Sequence, residues 1–209
     1  MHAAAAHGIA LSLGLIVALG PQNVFVFQQG AAQPRLRDAA PTVVAAGVSD
    51  TLLVVAGVLG LSLVVLRLPW VRTALLAAGV VMLAYVGYAL VASPVLSADP
   101  DTESRLDVRG QVGFAASVSL LNPHAVLDTV GVIGTSALAY TGAARWAFAA
   151  GALAVSWCWF AGLATAGRLV GASERAGALL RPLNAASAVV VWLVAAYMAW
   201  RLLGLLGVV

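Results

Sequence analysis

The chain has 209 residues, of which 62% are hydrophobic and 9% are charged, and its mean hydropathy is +1.00. A soluble domain carries about 25% charged residues, so this composition excludes a soluble enzyme, a nucleic-acid-binding domain and a disordered chain. The net charge of +3 arises from eleven basic residues, all of them arginine and mostly placed between apolar runs. We therefore predict an all-α integral membrane protein embedded in the lipid bilayer, without a nucleic-acid partner.

Six apolar runs are each long enough to cross roughly 30 Å of hydrocarbon as a helix. The longest polar stretch, residues 93–110, separates them into two groups of three. We predict one transmembrane domain over residues 1–209, with a first repeat at about 6–92, a linker at 93–110 and a second repeat at about 111–206. The predicted spans are residues 6–28, 42–66, 73–92, 111–139, 145–167 and 183–206.

The two groups of spans have similar beginnings. Residues 19–24 read LGPQNV and residues 121–126 read LNPHAV, so each half places a proline beside carboxamides within its first span. Three spans per half invert the second half relative to the first. The sequence therefore predicts six transmembrane helices arranged as a 3+3 inverted-topology repeat.

The distribution of arginine predicts the orientation. The loops after spans 1, 3 and 5 carry seven arginines, and the opposite side carries four. Because cytoplasmic loops are enriched in basic residues, both termini are predicted to lie outside.

Two acidic residues, Asp50 and Asp128, lie deep within predicted spans, and no basic residue lies equally deep. An ionised carboxylate in the membrane interior costs several kcal/mol. Each aspartate is either protonated and hydrogen-bonded to a neighbouring helix, or part of a cation or proton site. Their position favours the second interpretation.

Pro21 and Pro123 are predicted to disturb the first and fourth spans, since proline removes a backbone donor and displaces a carbonyl one turn earlier. Backbone groups that lose their helical hydrogen bonds at membrane depth are tolerated where other parts of the protein, or water in a cavity, can pair with them. The two prolines therefore indicate either simple kinks or a pair of interrupted helices that face a substrate site near the midplane. Because both halves carry the feature, we favour interrupted helices, with Gln22, Asn23 and Asn122 supplying polar groups.

Other residues allow two interpretations. His124 precedes Asp128 by one helical turn and is either a proton-relay partner or a simple hydrogen-bond donor. Ser49 either binds substrate or packs between helices. Cys158 is expected to be a buried, inert thiol. Five glycines are expected to allow close helix packing: Gly47, Gly57, Gly60, Gly151 and Gly162.

Several of these motifs together resemble the lysine exporter (LysE) family, which includes lysine and arginine exporters. The segments GPQNV at 20–24, SD at 49–50, NPHAVLD at 122–128 and RW at 145–146 are similar to its first, second, fourth and fifth spans. The likeness extends over almost the whole chain. His124 departs from the asparagine expected in the lysine exporter, and the central loop is shorter than in that protein.

The resemblance implies a multi-pass secondary active transporter of the bacterial inner (cytoplasmic) membrane that is not an enzyme. It would export L-lysine or L-arginine, driven by the proton motive force, through a midplane site between broken helices 1 and 4. A basic amino acid and protons are the implied partners. The implied site residues are Pro21, Gln22, Asn23, Asp50, Asn122, Pro123 and Asp128.

Alternatives to this function remain open. The same architecture could export another amino acid, or a divalent metal ion bound by Asp50, Asp128, His124 and Asn23, since oxygen and imidazole ligands suit several first-row metals. An aspartyl protease dyad of Asp50 and Asp128 lacks the sequence context expected of that class. No phosphate loop or zinc pattern occurs, so we expect no cofactor. A homodimer is compatible with a compact six-span unit.

Overall fold

The computed structural model describes residues 1–17, 20–60, 68–92, 106–173 and 176–205. Within these ranges the regular structure is helical throughout, as the composition predicts. A short 3-10 turn, Leu36–Ala39, precedes the third helix. The helices are α1 (His2–Ile16), α2 (Pro21–Ala32), α3 (Ala40–Val58), α4 (Pro69–Ala92), α5 (Val108–Leu120), α6 (Pro123–Val126), a π-helix (Leu127–Ile133), α7 (Gly134–Ala137), α8 (Gly142–Gly171) and α9 (Ala176–Leu205).

Three stretches of the described residues are long and apolar enough to cross a membrane: Leu36–Val58, Gly142–Gly171 and Ala188–Leu205. Helices α1 and α2 pass the same test as a pair, with their axes bent by 81°. A shorter apolar stretch, Leu76–Tyr88, lies within α4. The described part of the chain thus holds three or four candidate spans by length and composition, as expected of a multi-pass membrane protein.

The helix ends differ from the predicted limits at several points. Helix α3 ends at Val58, where Gly60 turns the chain with φ of +87°, and residues 61–66 of the predicted second span lie outside the described residues. Asp107 caps α5 by accepting a hydrogen bond from the Gly110 backbone N–H at 2.8 Å, so this helix begins inside the predicted linker. The last helix, α9, begins at Ala176, ahead of the predicted start of the sixth span at 183, and therefore includes Pro182.

Helix α8 packs against α1, α2 and α3, and glycines allow the closest approaches. A Cβ atom at Gly151 would overlap the Ala5 carbonyl of α1, and one at Gly47 would press on the ring of Trp157. A Cβ atom at Gly57 would lie 3.2 Å from Gly134 Cα, a looser but still tight contact. The packing role predicted for these three glycines is confirmed.

The same prediction is wrong for Gly60 and Gly162, because a Cβ atom at either position would meet no described atom within 4 Å. Gly60 instead serves the turn after α3, where its positive φ suits a residue without a side chain. Cys158 was also expected to be buried, but it is exposed. The exposed residues one turn away on α8, Ala154, Ala161 and Gly162, carry no polar side chain.

A buried polar network joins α3 to the start of α5. The Thr42 hydroxyl donates to Gln111 Oε1 at 2.8 Å, and both side chains are at most 2% exposed. Gln111 Nε2 donates to the backbone carbonyls of Asp38 and Leu106, each at 3.1 Å. Since buried polar groups stabilise a packing arrangement when all are paired, this network fixes where α5 enters the bundle.

Candidate functional site

The first predicted span is interrupted, and not merely kinked. Helix α1 ends with Val17 donating to the Leu13 carbonyl at 3.3 Å, and Gly20 then adopts an extended conformation. Pro21 occupies the first position of α2, where its missing N–H costs no helical hydrogen bond. Asn23 Nδ2 reaches back across the break and donates to the carbonyl of Ile16 at 2.8 Å.

The second break follows the same local rule. The Leu121 backbone N–H ends α5 by donating to the Ser117 carbonyl at 2.9 Å. Pro123 begins the next helix, and the Asn122 carbonyl accepts from Val126 at 3.0 Å, just as the Gly20 carbonyl accepts from Val24 at 3.2 Å. The interruption predicted at both prolines is therefore confirmed.

Both breaks line one cavity of about 270 Å³. This volume lies near the lower end of the range for small-molecule sites. The first break contributes Gly20, Pro21, Gln22 and Asn23, and the second contributes Asn122 and Ala125. Asp50, Ser12, Thr129 and Ser156 add further polar groups, and the apolar part of the wall consists of Leu15, Ile16, Val54, Ile133, Phe160 and Val194.

Asp50 lies beside the first break on the middle of α3. Its carboxylate accepts a hydrogen bond from the Ser156 hydroxyl of α8, and the carboxamide of Gln22 faces the same carboxylate. The Gln22 side chain is 8% exposed, and its Nε2 completes no hydrogen bond to any described residue. The Gln22 amide therefore interacts with the Asp50 carboxylate, while its Nε2 has no acceptor at full hydrogen-bond geometry among the described residues.

The structure brings together five of the nine residues that the sequence nominated: Pro21, Gln22, Asn23, Asp50 and Asn122. Ser49 is 3% exposed and is not among the described residues that line the cavity, which agrees with its packing interpretation. Pro123 begins α6 at the second break. The side chains of Pro123, His124 and Asp128 lie outside the described part of the chain.

Sequence reasoning missed Ser12, Thr129 and Ser156. Ser12 donates to the Ala152 carbonyl at 3.2 Å, and Ser156 bonds to Asp50. An isolated hydroxyl in an apolar run is also typical of helix packing in membranes, so the sequence alone does not distinguish these serines from structural ones.

The described side chains hold no group of three or more His, Cys, Asp or Glu that could bind a metal ion. Of the four ligands considered for a metal, Asp50 and Asn23 line the cavity. His124 and Asp128, the other two, are among the side chains that the structure does not describe.

Comparison with known proteins identifies relatives over almost the whole chain. The chain is similar to a putative amino-acid transporter, YisU, of Bacillus subtilis (strain 168), with 47% identity over 195 residues that cover 91% of this chain and 86% of that protein. It is also similar to the arginine exporter protein ArgO of Salmonella newport (strain SL254), with 32% identity over 197 residues, 92% of this chain and 91% of the relative. No solved structure matches the chain.

Residues 13–202 match the family described as LysE type translocator, and this range includes both helix breaks and Asp50. The resemblance that the GPQNV and NPHAVLD segments indicated is therefore confirmed. The chain belongs to the LysE type translocator family.

Proposed function

We propose that this protein exports basic amino acids, L-arginine or L-lysine, across the bacterial cytoplasmic membrane, driven by the proton motive force. The substrate would bind in the cavity between the two broken helices. Pro21, Gln22, Asn23, Asp50 and Asn122 form the described part of this binding site. We include Pro123, His124 and Asp128 from the second break in the same site.

The observation that carries the proposal is the convergence of both helix breaks and a carboxylate on one cavity. Asp50 provides a negative charge for a cationic substrate, and the amides of Gln22, Asn23 and Asn122 provide donors and acceptors. Interrupted helices lining a midplane cavity are a recurring design of secondary transporters. The named arginine exporters at 31 and 32% identity support arginine as the substrate to test first.

We also propose that the chain forms six spans in a 3+3 inverted repeat, with the linker at 93–110. A two-fold axis would exchange spans 1 and 4, 2 and 5, and 3 and 6. The packing supports this: α1 and α2 pack on α8, while α5, the π-helix and α7 pack on α3. The pairs that the axis would relate to themselves, α3 with α8 and α4 with α9, are also in contact.

Coupling to protons needs a group that can change its protonation within the cavity. We assign this task to Asp50 or Asp128, with the other carboxylate offsetting the charge of the substrate. The sequence holds no phosphate loop for coupling to ATP. The arginine distribution leads us to place both termini outside and the loops after spans 1, 3 and 5 in the cytoplasm.

A neutral amino acid is the second candidate substrate. The apolar part of the cavity wall consists of aliphatic side chains and Phe160, which suit an apolar substrate side chain. The relative with 47% identity is named only as a putative amino-acid transporter, so its name does not specify a basic substrate.

Efflux from preloaded cells tests the proposal. Cells that express the protein are loaded with radiolabelled arginine, lysine or leucine, and loss of label is followed with and without a protonophore. Faster efflux of arginine or lysine, abolished by the protonophore, is expected. Efflux of leucine alone would favour the second candidate, and no acceleration for any amino acid would contradict both.

A further inference from the structure

One end of the cavity holds an unused hydrogen-bond donor. Gln22 Nε2 is buried, lines the cavity and has no partner among the described residues. Buried polar atoms without a partner are rare in folded proteins, and each one needs an explanation. An unpaired donor in a cavity wall is explained by an acceptor that arrives with the ligand.

The backbone beside this side chain offers donors of the same kind. Gly20, the N-cap residue of α2, provides no side-chain cap, and Gln22 lies in the first turn, where a backbone N–H has no acceptor within the helix. The amide dipoles of the twelve-residue α2 also favour a negative charge at this end. Gln22 and the start of α2 therefore favour an anion.

An acceptor lies immediately next to these donors. The Asp50 carboxylate faces the Gln22 amide and is held by the hydroxyl of Ser156, which is 2% exposed. A group that binds an anion and a group that binds a cation thus stand side by side at one end of the cavity. The carboxamide of Gln22 lies directly beside the carboxylate of Asp50, so the two groups are adjacent.

We propose that this end of the cavity binds the head group of an α-amino acid, with Gln22 and the start of α2 holding the α-carboxylate and Asp50 holding the α-ammonium group. In an α-amino acid these two charged groups share one carbon atom, so they require a donor cluster and an acceptor next to each other. The inference rests on the proposed transport of amino acids. It assigns the substrate's side chain to the remainder of the cavity.

This arrangement makes the α-carboxylate a condition for transport. Agmatine, which is arginine without its carboxylate, retains the guanidinium group and an amine but leaves the Gln22 donor unpaired. Losing a hydrogen bond to a charged group corresponds to about a tenfold loss of apparent affinity. The site would therefore reject amines and diamines that resemble basic amino acids.

The test uses the purified full chain in proteoliposomes and measures how unlabelled L-arginine and agmatine compete with transport of labelled L-arginine. For the unsubstituted protein we expect agmatine to compete at least about tenfold more weakly than arginine. Gln22→Leu should weaken competition by arginine about tenfold and leave competition by agmatine nearly unchanged, so the preference for arginine over agmatine disappears. Gln22→Glu should weaken competition by arginine further, because the glutamate carboxylate repels the α-carboxylate of the substrate.

The ratio of the two competitors is independent of how much protein folds. Gln29→Leu is the matched control, because Gln29 lies on the same helix, is buried and bonds to Gln33 at 3.3 Å, away from the described cavity wall. The Gln29→Leu variant should keep the preference for arginine over agmatine. Equal competition by agmatine and arginine in the unsubstituted protein, or an equal loss of both in Gln22→Leu, would overturn the head-group proposal.

Failure of the substrate assignment has a different signature. If the protein transports leucine and not arginine, the same measurement is made with leucine against isoamylamine, its decarboxylated form. A preference for leucine that depends on Gln22 would then support the head-group site while contradicting basic amino acids as substrates. Transport of neither amino acid, with no binding of either, would contradict both proposals.

Discussion

The two helix breaks begin alike and continue differently. After Pro21 the chain forms twelve residues of regular α-helix, and Asn23 ties the new helix to the end of α1. After Pro123 only four residues are α-helical before the seven-residue π-helix Leu127–Ile133. The same local signal, a proline at the first helical position, thus produces one regular wall and one irregular wall of the cavity.

This difference indicates that the two breaks have different roles in transport. The first break presents fixed groups: a braced helix start, a buried glutamine and the neighbouring Asp50 carboxylate. The second break leads into a π-helix, a form that is rare and is often found at functional sites. The comparison predicts that the first break determines what binds, while the second accommodates movement during transport.

The strongest test of this comparison removes the charge beside the first break. Asp50→Asn keeps the shape of the side chain but abolishes the negative charge, so arginine efflux should fall by up to about 100-fold, the loss expected for a charge-assisted interaction worth up to about 3 kcal/mol. Efflux is measured per folded protein in the membrane. Asp38→Asn, at a partly exposed position near the start of α3, is the matched control and should transport normally. Near-normal efflux by Asp50→Asn across a range of external pH would reject the ionic role.

Replacing each proline by alanine restores a backbone N–H donor, and the two variants compare the two breaks directly. Alanine removes a barrier to continuous helix that is worth about 3 kcal/mol, so Pro21→Ala and Pro123→Ala should both favour a straighter helix. We expect Pro21→Ala to lower efflux at least about tenfold and Pro123→Ala to lower it less, because the π-helix can absorb the change.

Pro34→Ala, in the exposed turn after α2, is the control for both variants and should leave efflux unchanged. The readout is efflux divided by the amount of folded protein, so that loss of expression is separated from loss of transport. Normal efflux in both Pro21→Ala and Pro123→Ala would show that the breaks have no functional role. A larger loss in Pro123→Ala would reverse the roles assigned to the two breaks.

A substitution on α3 can crowd the surface against which the π-helix packs. A Cβ atom at Gly57 would lie 3.2 Å from Gly134 Cα and 3.3 Å from the Thr129 carbonyl oxygen, closer than ordinary packing allows. Overpacking of this kind costs about 1–3 kcal/mol in a rigid site. Because the neighbouring backbone is irregular, we expect Gly57→Ala to fold and to slow efflux about fivefold, roughly 1 kcal/mol.

Gly131→Ala is the control within the π-helix, since its Cβ atom would meet nothing described within 4 Å. Its efflux should match that of the unsubstituted protein. If Gly57→Ala loses folded protein instead of transport rate, the second break is rigid and does not accommodate movement.

The sequence predicts the parts of this arrangement that depend on local chemistry. Proline at a first helical turn determines where both breaks fall, and a lone carboxylate in an apolar run identifies Asp50. The π-helix is not predictable in the same way, because π-helices are rare and residues 127–133 contain no proline or comparable local signal for one. The end of α3 at Val58, just before the turn at Gly60, was missed because a glycine in an apolar run suggests helix packing as readily as a turn.

An equally small effect is expected to separate two buried serines that look equivalent in sequence. Ser156 donates to Asp50 and lines the cavity, whereas Ser49, next to Asp50 in the chain, is buried away from the described wall. Removing the Ser156 hydroxyl leaves the carboxylate in place but less well oriented, so Ser156→Ala should raise KM for arginine about fivefold, near 1 kcal/mol, with little change in kcat. Ser156→Thr keeps the donor and should restore KM, and Ser49→Ala should leave both constants unchanged. Equal effects of the two alanine variants, or a failure of threonine to rescue, would show that Ser156 only packs and that the first break orients Asp50 without it.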